Sequence, residues 1–389
     1  MALTQVPSSL LASTTGSGTT VVLSTSPTIT TPTISGALTT SASGITFSDS
    51  SAQTAAASPY VLKNRIINGD MRIDQRNAGA SVTITANPQY TLDRWFAGVT
   101  NASKISVQQS STAPSGFTKS MLVTSLAATT PAAGDVYYMQ QSIEGFNIAD
   151  LDFGLSTAKT ITISFWVRSS LTGTFGAVLL NAGSNRSFPF NYTISAANTW
   201  TQITQTITGD TTGTWATDNT TGFQLRFGLG AGSTYQGVAG SWGTTNAVTT
   251  TTATNIVGTN GATWYVTGVQ LEIGTSATPF ERRLYGQELI NCQRYYQTFG
   301  NYEATGVAKD TTAAFFYYTL SPQMRTSATC TFTCPAVDRI GVALTSTTGT
   351  GIVFATDNMV VPYATVTMSG MGQPCSPASG ALLTASAEL

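Results

Sequence analysis

Alternation of apolar and polar side chains, interrupted at short intervals by Gly, Pro, Asn and Ser, limits this chain to β-structure. In residues 160–167, Ile161, Ile163, Phe165 and Val167 share one side. Leu225, Phe227 and Leu229 do the same in residues 224–229. Only a pleated strand places i, i+2 and i+4 on one face. One core face and one solvated face per strand implies two packed sheets. Further stretches follow between turns: 61–67, 92–97, 105–109, 120–124, 136–143, 176–180, 188–194, 199–207, 222–228 and 262–273. The expectation for 61–285 is an all-β domain, a β-sandwich or jelly roll. Trp95, Trp166, Trp200 and Trp264 sit inside these strands as core anchors, and the Gly/Thr-rich stretch 230–262 reads as a long surface loop.

Period two gives way once. Leu284, Glu288, Cys292 and Tyr295 recur at helical spacing, which predicts one short helix over 284–298. It follows the strand ending at Ile273 and precedes further strand-like stretches at 313–320, 328–333, 341–345, 351–355 and 360–368. Residues 286–389 are therefore expected to form the helix and a small C-terminal β knob, closed by a last strand reaching Leu389.

Residues 1–60 hold few aromatics and no charge before Asp49, so they cannot bury a core alone. Short β-prone pieces recur there between Gly, Pro and Ser. Two readings fit. One is a solvated Ser/Thr linker. The other is an extended β stem in which three parallel copies bury Val22, Ile29, Ile34, Leu38, Ile45 and Phe47 on a common axis.

Charge is scarce. Lys, Arg, Asp and Glu make up 9% of the residues, against roughly 25% in ordinary globular proteins. The net charge of −1 steers the chain toward neither nucleic acid nor anionic membrane. No apolar run is long enough to predict membrane insertion. Histidine is absent, which removes the commonest general base and metal ligand. The start lacks a basic region before an apolar block, so synthesis and assembly in a cytoplasm are expected. Cys292, Cys330, Cys334 and Cys375 are expected as buried free thiols; on one strand Cys330 and Cys334 would stand roughly 13 Å apart, too far to pair.

Sugar binding needs an aromatic plate flanked by amides or acids. Trp215, Tyr235 and Trp242, with Asp218, Asn219 and Gln236 nearby, make the Gly/Thr-rich loops the expected surface, unless each ring only pins its own loop. Glycosidase chemistry needs two acids about 5–9 Å apart, but Asp93, Asp150, Asp152 and Asp210 are scattered, so no enzyme activity is expected and a polysaccharide depolymerase is the weaker alternative.

Residues 44–57 resemble the stem-to-head segment of tailed-bacteriophage fibre proteins, with Ser50-Ser51 where Gly-Thr is usual. Residues 64–76, 90–95, 269–274, 278–281 and 288–296 resemble, in order, blocks of phage tail-fibre and virion head domains. The resemblance implies a homotrimeric virion fibre whose N-terminus docks on another virion protein. It implies a jelly-roll head like that of carbohydrate-binding modules, turned toward a host-surface glycan. A head or collar fibre without a ligand is the alternative. Such heads often hold a structural Ca²⁺ where first and last strands meet, and Asp70 and Glu272 stand at the matching places; pairing with Arg72 or Arg282 is the competing expectation. Arg65, Arg72, Arg76, Arg94 and Glu281, which fall in the matching blocks, are expected as structural ion pairs.

Overall fold

The computed structural model describes residues 45–46, 52–53, 63–300, 303–339, 342–368 and 371–389. In the first of two units (1–61), β1 (Ile45–Thr46) pairs antiparallel with β2 (Ala52–Gln53). Val22, Ile29, Ile34, Leu38 and Phe47, expected in a stem core, lie outside the described residues.

In the second unit (62–389) the alternating stretches become β3 (Val82–Thr83), β4 (Gln89–Tyr90), β5 (Phe96–Val99), β6 (Ile105–Ser110), β7 (Ser120–Ser125), β8 (Val136–Glu144), β9 (Ile161–Ser169), β10 (Gly173–Asn181), β11 (Ser187–Ile194), β12 (Thr201–Ile207), β13 (Thr221–Ala231), β14 (Gln236–Gly237), β15 (Thr249–Thr250) and β16 (Thr263–Ile273). They build a jelly-roll β-sandwich. The front sheet runs β11-β10-β13-β8-β5-β4 and the back sheet β12-β9-β16-β7-β6-β3. Inward residues of both sheets interlock. Phe165 of the back sheet meets Phe227 of the front at 5.1 Å between ring centroids, and Trp264 meets Phe227 at 5.4 Å. The Trp264 indole N–H donates to the Tyr192 hydroxyl across the core at 3.1 Å. Each fully buried ring contributes roughly 1.5–3 kcal/mol of transfer free energy.

Residues 63–66 do not form the expected strand. They run irregularly along β16, because the Asn64 side chain takes over part of the ladder. Its Oδ1 accepts from Leu271 N and its Nδ2 donates to Val269 O, each at 3.1 Å.

The C-terminal part contains α1 (Tyr285–Gln293), β17 (Tyr296–Phe299), β18 (Thr305–Ala308), β19 (Ala313–Thr319), β20 (Thr329–Thr333), β21 (Ala336–Arg339), β22 (Val342–Ser346), β23 (Gly349–Ala355), β24 (Met359–Thr365), β25 (Pro374–Pro377) and β26 (Leu382–Ser386). A three-stranded sheet, β17-β26-β20, and a seven-stranded sheet, β22-β21-β25-β18-β19-β24-β23, enclose a second core around Phe316, Tyr318, Phe332 and Leu383. The helix stops at Gln293, earlier than its spacing predicts, because Tyr296–Phe299 pairs with β26. Leu284 is 83% exposed, so the buried side of the helix begins at Glu288 and Cys292. All four cysteines are free, and burial pushes the Cys330 and Cys375 thiols up to about 11.

The seam between the two parts gathers charge. Glu388, beyond the last strand, pairs with Arg94 and with Arg76, the latter at 3.0 Å. Arg94 stacks on the Tyr295 ring and Arg76 on the Tyr296 ring, each at 3.6 Å. Arg294 binds Glu144 through Nη2 at 2.6 Å and Nε at 3.1 Å, and the Tyr295 hydroxyl donates to the same carboxylate at 2.6 Å. Arg325 donates to the carbonyls of Asn219, Ala387 and Glu388. Arg283 bonds Glu288 at 3.2 Å and the Asn64 and Ile66 carbonyls. The residues that carry the fibre-head resemblance are thus largely the glue of this seam.

Candidate functional site

On β13 the inward residues are Phe223, Leu225, Phe227 and Leu229, which leaves Gln224, Arg226, Gly228 and Gly230 on the outer face of the front sheet. The register sets Arg226 opposite Gln140 of β8 and Gly228 opposite Tyr138. The Arg226 guanidinium donates from Nε to Gln140 Oε1 at 2.6 Å and from Nη2 to Gln224 Oε1 at 2.8 Å. Its Nη1 reaches Asn246 Oδ1 at 2.7 Å and the Ala247 carbonyl at 3.3 Å, and its Nη2 also reaches Ser184 Oγ at 3.4 Å. All of these acceptors are neutral. Arg226 is 7% exposed, and burial lowers its pKa from the ordinary value.

Beside it the half-buried Tyr138 ring stands 5.0 Å from the guanidinium, within cation–π range. The ring lies across Gly98 of β5, where a Cβ would come within 2.2 Å of it. Phe96 and Tyr90 continue the aromatic row, at centroid distances of 6.4 Å from Tyr138 to Phe96 and 5.1 Å from Phe96 to Tyr90.

The Gly/Thr-rich stretch 230–262, expected as a long surface loop, contains the short strands β14 and β15. It folds back as a ribbon over this face. β14 pairs with β15, Gln236 opposite Thr249, and Ala247 packs on Val178 and Leu180. Thr249 rests on Gly228, where a Cβ would sit 2.6 Å from the threonine Cβ. Past this contact lies a pocket of about 380 Å³ lined by Gly230, Gly232, Ser233, Gln236, Thr249 and Asn255 among others, without a charged residue. Thr249 Oγ1 and Asn255 Oδ1, on residues of its wall, are buried without a hydrogen-bond partner. The face therefore offers an aromatic row, a row of side-chain amides around one cation, and a neutral pocket.

Two of the six residues expected to hold a sugar border this face. Tyr235 lies on the ribbon, its carbonyl accepting from Val248 N at 2.8 Å, and Gln236 lines the pocket while donating to the Ala231 carbonyl at 2.9 Å. The other four lie elsewhere. Trp215 is not an exposed plate. It is 7% exposed and packed with Phe153, Phe223 and Trp242 at centroid distances of 5.0, 5.0 and 5.5 Å. Trp242 is half-buried against Phe153 and Phe188, and its indole N–H donates to the Thr208 carbonyl at 2.7 Å. Four rings and Phe223 remove one another from water, and this burial overrides the polar sequence around them. Asp218 caps its own turn through Thr220, and Asn219 bonds Arg325 at the seam. Tyr138, Gln140, Gln224, Arg226 and Asn246 escaped the sequence search. The signal for Arg226 and Gln224 was their position opposite the apolar parity of β13.

Asp70 and Glu272 do not form a shared ligand set. Asp70 pairs with Arg72 at 2.5 Å. Glu272 accepts from Thr278 N at 2.9 Å, Thr278 Oγ1 at 2.7 Å and Gln270 Nε2 at 2.8 Å. Among the described residues no group of three or more Cys, Asp or Glu could hold a metal ion. These two carboxylates, each engaged by its own partners, do not fit a calcium site, which takes six to eight oxygens.

No family pattern and no curated protein matches the chain. Among solved structures, the enzymatically active domain of tailspike protein 4 from bacteriophage CBA120 is similar at 12% identity over 54% of this chain, with a TM-score of 0.31, and the match spans 21% of that domain. A family 4 carbohydrate-binding module is similar at 16% identity over 53% of this chain and 98% of its own, with a TM-score of 0.28. A putative sugar binding protein from Bacteroides thetaiotaomicron is similar at 13% identity over 55% of this chain and all of its own, with a TM-score of 0.33. Scores at this level carry no argument about function, and the jelly roll stands on its own strand pairing.

Proposed function

We propose that the protein is a non-enzymatic virion fibre of a tailed bacteriophage, assembled in the host cytoplasm as a homotrimer, that binds a host-surface glycan during adsorption. Residues 1–60 form the stem and dock on another virion protein. The glycan lies on the outer face of the front sheet. The observation that carries this is the half-buried Tyr138 ring and the exposed Asn246 amide around the Arg226 guanidinium, beside a charge-free pocket, which supply a ring face for apolar sugar surfaces and polar groups for hydroxyls. No carboxylate lines the pocket or bonds Arg226, which supports binding over hydrolysis.

The test is adsorption. Purified protein is expected to bind host envelopes and block phage attachment, and Tyr138→Ala is expected to weaken both. Wild-type protein that neither binds nor blocks would overturn the reading. Light scattering is expected to give a mass three times 40.6 kDa. The alternative is a structural fibre without a ligand. It is favoured by the placement of the resembling blocks in the seam, and it predicts intact adsorption when Tyr138 is lost.

A further inference from the structure

Two arginines are buried among the described residues, Arg94 at 1% and Arg226 at 7% exposure. Arg94 faces the Glu388 carboxylate. Arg226 has no carboxylate partner. Its contacts are three side-chain amides, a hydroxyl, a carbonyl and a tyrosine ring. A cation removed from water without a counter-charge is costly even when fully hydrogen-bonded. In a chain with so few charges, an unbalanced one on a sheet face needs an explanation.

The five hydrogen bonds differ in how firmly they are held. Gln140 and Gln224 are buried on central strands, and Gln140 is further fixed by donating to Ser142 Oγ at 3.1 Å. Asn246 is exposed and sits on the ribbon. Its planar carboxamide fills the Nη1 side of the guanidinium fork. A carboxylate has the same planar shape and adds the missing charge, and it pairs with arginine more strongly than an amide does.

We infer that the Arg226 position is a subsite for a carboxylate-bearing sugar, such as a uronic or sialic acid, which displaces the Asn246 amide and stacks beside Tyr138. This rests on the glycan-binding proposal and narrows it to acidic glycans. The neutral pocket beyond Thr249, about 13 Å along β13 from Arg226 at ~3.3 Å per residue, takes uncharged units of the same chain.

The experiment uses the full-length protein and an array of neutral and acidic glycans, followed by calorimetry with the best acidic probe and its carboxyl-reduced form. The acidic probe is expected to bind at least tenfold tighter than the reduced one, with a gap that narrows as salt rises. Asn246→Asp supplies the counter-charge from within. It is expected to fold at least as stably as wild type and to lose the acid preference. Arg226→Lys, which keeps the charge but not the fork, is expected to lose most of it. If the reduced probe binds equally well, or if only neutral glycans bind, the inference fails while glycan binding stands. If Asn246→Asp keeps the full acid preference, the subsite is not at Arg226. If no glycan on the array binds, both proposals fall.

Discussion

The seam and the front-sheet face each hold one of the two arginines buried among the described residues, Arg94 and Arg226, and they treat them in opposite ways. At the seam Arg76, Arg94, Arg283 and Arg294 all meet carboxylates, and Arg94 and Arg76 share Glu388. On the face Arg226 meets only neutral acceptors. Balanced charge holds two β layers in one register and leaves nothing for a ligand to add. The unbalanced charge is the place where the proposed acidic ligand would add a counter-charge. The contrast separates residues that carry the fibre-head resemblance from residues suited to binding.

The strongest way to break this contrast is to remove Glu388. Glu388→Ala leaves Arg94, 1% exposed, and Arg76 without their carboxylate. Breaking one side of a buried pair costs about 3–5 kcal/mol, so denaturant unfolding should show a loss of that size. A loss under about 1 kcal/mol would mean the seam is not held by charge. Trp215→Ala comes next. A buried Trp truncated to Ala costs about 3 kcal/mol or more. The expected outcome is lower stability with unchanged glycan affinity of the folded protein, and a selective loss of affinity would return Trp215 to the binding surface.

A third change examines a paired arginine in the turn between β10 and β11. Arg186 binds Asp210 through Nε at 2.6 Å and Nη2 at 2.8 Å. Burial alone would raise the Asp210 carboxyl, but the Arg186 and Thr212 hydrogen bonds outweigh it and hold the carboxyl below its usual range. A depressed carboxyl contributes stability above its unfolded value of about 4, and that stability is lost as pH falls through the lower folded value. Asp210→Asn should therefore cost about 2 kcal/mol at neutral pH and flatten the acid limb of the melting curve. An unchanged acid limb would show that the pair contributes nothing to acid stability.

The strands were legible because alternation is local: Ile161, Ile163, Phe165 and Val167 announce their shared face from eight consecutive residues. The seam was not, since Glu388 finds Arg94 across 294 positions and no nearby residue hints at it. The proposed binding face was half legible. Tyr235 and Gln236 emerged from their loop, but the sheet beneath it did not. Gly228 clears space for Thr249, and this seats the ribbon beside Arg226. That long-range contact decides which polar stripe is roofed. Trp215 and Trp242 misled because Gly and Thr around a ring suggest exposure, whereas here the rings bury each other.

The smallest expected effect is also the sharpest on function. Tyr138 is half-buried, lies across Gly98 and touches Arg226 only through its ring. Its loss opens no sealed cavity and strips no carboxylate of its partner, so stability should fall by about 1 kcal/mol or less. A ring beside a sugar supplies contact that no amide replaces, and Tyr138→Ala should weaken glycan binding about tenfold, or 1.4 kcal/mol. Tyr138→Phe keeps the ring and should keep the affinity. Calorimetry of both variants separates two accounts of the face. Loss with Ala and retention with Phe means the ring is a platform. Loss with both means the hydroxyl matters instead, and retention with both means the row of rings only stiffens the sheet, which would leave the front face with no more claim to a ligand than the seam.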